Sequence, residues 1–150
     1  LERVITIFPS IATIDKFEHW AYENPNHSVD ERLVKWNEIL NEFSSDIINF
    51  EGLEEYRKYA WQRQLHLFEV PLYYIEYGIA QLGAIGLWKQ FRENKAAALN
   101  NYMMSLQLGG TKTLPELYGA AGLVFNFSPD YIKQLMQFVK QEMDKLNVHP

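Results

Sequence analysis

Two Ser/Thr-x-x-Glu sequences, Ser28-Val-Asp-Glu31 and Thr113-Leu-Pro-Glu116, each stand directly before an apolar stripe. In such a box the hydroxyl accepts from the amide three residues on, and the glutamate reaches back to the capping amide. Two of the orphan donors at a helix start are thereby satisfied. A chain written this way is committed to helices. After Ser28, the residues Leu33, Val34, Trp36, Ile39, Leu40 and Phe43 form a broad apolar face. After Thr113 a short helix is expected toward Leu123, with Pro115 compatible with its first turn.

The other segments follow the same period. Ile11, Ile14, Phe17 and Ala21 share a face of a helix from Ile11 to Asn24, flanked by Trp20 and stopped by Asn24-Pro25-Asn26. Pro9-Ser10 punctuates ahead of it, and Leu1 to Phe8 reads as a strand or as the tail of an upstream helix. Ser44, Ser45 and Asp46 end the second helix, and Ile47 to Gly52 is a linker anchored by Ile48 and Phe50. A third helix is expected from Leu53 to about Phe68. Pro71 disfavours helical geometry at Val70, so a fourth is expected from Pro71 to about Glu93. Asn94 to Leu108 makes a fifth, ended by Gly109-Gly110. Ser128-Pro129-Asp130 opens the last, whose Ile132, Leu135, Met136, Val139 and Met143 share one face as far as Leu146. The expectation is an all-α fold of about seven helices in one domain over residues 1–150.

Bulk properties narrow the function classes. Hydrophobic residues make up 47% of the chain and aromatics 15%, which excludes disorder. A net charge of −5, with the acidic residues scattered, argues against nucleic acid or an anionic membrane as a partner. No apolar run reaches the ~20 residues of a membrane span. There is no cysteine, hence no disulfide and no thiolate metal site, as suits a reducing, cytoplasmic setting. The chain opens on Leu1 with an apolar pattern already running, and reads as a piece of a larger protein.

One stretch, His66 to Trp88, is dense in candidate chemistry. On a helix at ~100° per residue, Tyr73, Tyr74 and Tyr77 fall in one sector, and Gln81 extends it by a turn. Phenols donate hydrogen bonds while neutral, which suits them to hold a peptide carbonyl or a developing oxyanion. The same spacing also describes an aromatic core stripe. His66 could contact substrate, move a proton or ligate a metal with Glu69 at i+3. A metal site needs about three protein ligands, and His19, His27 and His149 are not spaced to supply them, so none is expected in this chain. Gly78, Gly83 and Gly86 call for close approach of another helix or, more rarely, of a ligand backbone, since each costs about 1 kcal/mol in a helix. Gly109-Gly-Thr-Lys-Thr113 lacks phosphate-loop spacing and reads as a turn.

The stretches ATIDKFEHWAYENP, WQRQLHLFEVPLYYIEYGIAQLGAIGLW and LPELYGAAGLVFNFSPDYI resemble the C-terminal part of the M3 zinc metallopeptidases, in the oligoendopeptidase F-like branch related to thimet oligopeptidase. The resemblance runs over essentially the whole chain. It implies the helical end of a zincin-like catalytic domain that cleaves short peptides. It also implies a zinc held by H-E-x-x-H and a further glutamate, elements absent from this sequence and expected upstream. This segment alone is therefore expected to bind no zinc and to be inactive. By the same resemblance Tyr77 stabilises the tetrahedral oxyanion, His66 contacts peptide near the scissile bond, and Tyr74 positions substrate; Tyr73 and Gln81, which share their sector by spacing, are read as substrate-binding beside them. The expected partners are an oligopeptide substrate and the upstream catalytic part of the same protein, with self-association through exposed apolar surface. The alternative is a helical interaction module that keeps this pattern and binds peptide without cleaving it.

Overall fold

The computed structural model describes residues 2–45 and 47–146. Asp46 and His149, to which the sequence assigns a helix end and a chain end, lie outside them. The described residues form eight α-helices and one 3-10 helix with no strand, so the all-α expectation holds. The chain divides into two compact units, Glu2–Gly78 and Ile79–Pro150.

The first unit is built on α1 (Glu2–Glu23) packed against α2 (Val29–Glu42). The box at α2 forms as written: Ser28 Oγ accepts from the Glu31 amide at 3.2 Å, and Glu31 Oε2 accepts from the Ser28 amide at 2.7 Å. Pro9 does not end a segment, because α1 runs straight through it. A proline inside a helix forfeits one main-chain hydrogen bond. Here the following turns are anchored by Ile11, Ile14 and Phe17, all buried.

The expected long helix from Leu53 to Phe68 is instead three short pieces: α3 (Glu54–Lys58), a 3-10 turn (Ala60–Arg63) and α4 (His66–Glu69). At the break, the Arg57 carbonyl accepts from a side chain of α2. Trp36 Nε1 donates to the carbonyl oxygen of Arg57 at 2.8 Å, and continued α-helix would need that carbonyl for residue 61. Trp61 instead turns inward. Phe17 meets Trp36 edge-on at 5.1 Å between centroids and Trp61 at 5.6 Å. With Ile14 and Ile39 these rings form the core, against which Leu67 and Tyr74 pack. Large aromatics bury about 150–250 Å² each, so this unit is held by its rings.

The second unit contains most of α5 (Ile75–Glu93), with α6 (Lys95–Leu108), α7 (Leu114–Ala120) and α8 (Pro129–Leu146). Leu82, Ile85, Ala98, Ala121, Leu135 and Val139 are its buried hydrophobic residues, and Glu142, on α8, is also buried. Glu116 Oε2 accepts from the Thr113 amide at 2.9 Å, as the second box requires. Trp88 on α5 meets Phe138 on α8 at 4.8 Å. Gly83 explains itself: Tyr118 Oη donates to the Ile79 carbonyl at 2.7 Å, and a Cβ at position 83 would lie 2.5 Å from the Tyr118 hydroxyl oxygen. The Gly109-Gly110 pair ends α6 in a turn, with Gly109 at φ 53°.

Candidate functional site

The site residues of the first unit sit on a short, irregular connection. His66 opens α4, and the four-residue helix stops at Val70, whose φ −139° and ψ 74° lie outside the helical region. Pro71 follows. Leu72 then takes φ 59°, the left-handed region, where a leucine is strained by about 1–2 kcal/mol. Among the described residues it is the one non-glycine with positive φ. The α5 helix therefore starts at Ile75 and not at Pro71. Tyr73 and Tyr74 precede it, and their carbonyls accept from the amides of Glu76 and Tyr77 at 2.9 and 3.3 Å.

The expected single helical face is thus not how the tyrosines meet, yet they do meet, around His66. Tyr73 stacks parallel to the imidazole with centroids 6.0 Å apart and planes 2° apart. Tyr74 and Tyr77 meet it edge-on at 5.3 and 5.6 Å. Tyr77 also contacts Tyr73 at 5.7 Å and Tyr74 at 5.3 Å. His66 Nε2 lies 3.0 Å from Tyr77 Oη, within hydrogen-bonding distance.

Exposure divides the cluster. Tyr73 and Tyr77 are 45% and 39% exposed, open to a ligand. Tyr74 is half-buried and packs on the hydrophobic core, so it belongs both to site and to scaffold. Gln81 is half-buried a turn beyond Tyr77 on α5 and falls in the second unit. His27 is taken up by structure. Arg32 Nε donates to its Nε2 at 2.7 Å, which leaves the ring proton on Nδ1, facing the Asn24 carbonyl at 2.5 Å.

Glu18 is the residue the sequence reading passed over. It lies on α1, is 3% exposed, and its Oε1 accepts from the Leu72 amide at 3.0 Å. Its Oε2 is buried with no hydrogen-bond partner among the described residues. Burial pushes its carboxyl above the ordinary carboxylate value; the Leu72 amide opposes this, and the charge of Asp15 adds to it. The signal was present in the sequence as a carboxylate set inside the apolar stripe of Ile14, Phe17 and Ala21. A charged residue that is almost never buried without a partner marks such a position.

No three His, Cys, Asp or Glu side chains among the described residues are placed to hold a metal ion. His66 and Glu69 gain no third ligand among the described residues, and those residues do not fit a zinc site.

Two solved structures are similar to this chain. A crystal structure described as an oligoendopeptidase F superposes with a TM-score of 0.83 and 30% identity, over 95% of this chain and 25% of its own. PZ peptidase A, solved with an inhibitor, superposes with a TM-score of 0.81 and 32% identity, over 93% of this chain and 25% of its own. The chain thus spans about a quarter of the length of the structures it matches. No protein-family profile and no curated protein matches it. The resemblance to oligoendopeptidase F read from the sequence is borne out in fold and in identity.

Proposed function

We propose that this chain is the C-terminal helical part of the catalytic domain of a zinc-dependent oligopeptidase, and that His66, Tyr73, Tyr74 and Tyr77 form one wall of its peptide-cleaving site. The observation that carries the reading is the hydrogen bond between His66 and Tyr77 inside a cluster of four rings, on a fold similar to two peptidases.

Hydrolysis of a peptide bond passes through a tetrahedral species whose former carbonyl oxygen carries negative charge. A donor already aimed at that oxygen lowers the barrier, because nothing must reorganise at the moment of reaction. With the Nε2 proton of His66 donated to Tyr77 Oη, the phenol keeps its own proton for the substrate oxygen. The chain imidazole–phenol–oxyanion then polarises along its length. Tyr73, stacked on His66, holds the ring plane that this bond needs. Tyr74 fixes the back of the cluster against the core.

The zinc, and the carboxylate that activates water, would have to come from outside this chain; no step above is routed through them. The same proposal places the protein in the cytoplasm. It also gives the isolated chain a tendency to self-associate through exposed apolar side chains such as Val34, Tyr56 and Phe68.

The test is cleavage of a short, internally quenched peptide by the intact protein. Hydrolysis that stops on chelation and returns with zinc supports the reading. Saturable binding of the same peptide without cleavage supports the non-catalytic peptide-binding module instead.

A further inference from the structure

We infer that Glu18 is a positioning residue for the His66–Tyr77 pair, holding the left-handed turn at Leu72 that sets where the tyrosines stand. The inference rests on the peptidase reading for its kinetic consequence, but not for its structural one.

Leu72 adopts φ 59°, a conformation a leucine avoids unless its surroundings fix it. The group that fixes it is on another helix: Glu18 Oε1 accepts from the Leu72 amide at 3.0 Å, across 54 residues of sequence. Tyr73 follows directly, and its own amide closes the turn on the Val70 carbonyl at 3.2 Å. The rise of α5 from Ile75, and with it the place of Tyr77 relative to His66, is set by that turn.

The carboxyl is otherwise hard to explain. It is 3% exposed among the apolar residues of α1, and one of its oxygens has no hydrogen-bond partner among the described residues. Burying a carboxylate costs free energy unless it is compensated. As packing alone, a leucine would serve the position better. As a fixed acceptor for one strained amide, Glu18 has a role that an apolar side chain cannot take.

The experiment compares Glu18→Gln and Glu18→Leu in the intact protein, by peptide hydrolysis and by NMR of isotope-labelled histidine. Glutamine keeps an oxygen where Oε1 stands; leucine fills the space without one. The His66 ring resonances, assigned by their loss in His66→Gln, are displaced by ring currents from the surrounding tyrosines and report the cluster whether or not the protein turns over. The inference predicts that Glu18→Leu moves these resonances toward those of a free histidine and lowers kcat by about ten- to a hundredfold, as small misplacements of catalytic groups do. Glu18→Gln is predicted to keep the resonances in place and most of the wild-type kcat. If Glu18→Leu does not fold, the glutamine variant decides: a folded Glu18→Gln with free-histidine resonances overturns the inference. Wild-type resonances in a folded Glu18→Leu overturn it equally. If the wild-type protein cleaves no peptide, the peptidase reading fails while the resonances still test the role of Glu18.

Discussion

His66 Nε2 and Tyr77 Oη stand 3.0 Å apart, joining α4 to the first turn of α5 across a connection that contains a proline and a left-handed leucine. Neither helix alone could present both groups. The four residues of α4 are too few to be stable by themselves, so the ring cluster and the core beneath Tyr74 hold the geometry.

If the pair acts as a unit, its members should not contribute independently. His66→Ala and Tyr77→Phe in the intact protein should each lower kcat/KM, and the double variant should be little worse than the poorer single. The expected coupling is about 0.5–3 kcal/mol, the range for residues in direct contact. A double-mutant cycle on kcat/KM measures it. Strict additivity would separate the two residues.

Gly83 is where the second unit admits no side chain. A Cβ there would lie 2.5 Å from Tyr118 Oη and 2.9 Å from its Cζ, so Gly83→Ala must displace the phenol from the Ile79 carbonyl. Urea unfolding should show a loss of about 1–3 kcal/mol, typical of overpacking. In a Tyr118→Ala background the sign should reverse, with a gain of up to about 1 kcal/mol from helix propensity.

Glu18 should leave a signature in the pH dependence of stability. Burial raises its folded-state proton affinity above that of the unfolded chain. Its contribution is therefore fully present below the ordinary carboxylate value and is lost as pH rises through the raised folded value. Glu18→Gln removes this one titration. The stability difference, variant minus wild type, should grow from acid to neutral pH in urea unfolding. A difference that does not change with pH would contradict the assignment.

The sequence was most legible where one local rule acted alone. The capping boxes at Ser28 and Thr113, the stop at Gly109 and the apolar face of α8 need only nearby residues, and each is found. It was least legible where a distant side chain took a main-chain partner. Trp36 donates to the Arg57 carbonyl where the third helix breaks, and Glu18 accepts from the Leu72 amide in the turn before α5. Pro9 misled for the opposite reason, because burial of the following turns outweighs the single bond it removes. At the candidate site the spacing put the three tyrosines on one helical face, whereas the structure gathers them around His66. They converge through a strained turn and not along one helical face.

The central claim is that Tyr77 supplies a hydrogen bond to the transition state. Steady-state kinetics of Tyr77→Phe in the intact protein tests it most directly. The expected result is a loss of about 10²–10³ in kcat, as for removal of one oxyanion donor, with KM little changed because the lost bond belongs to the transition state. Turnover equal to wild type would contradict it.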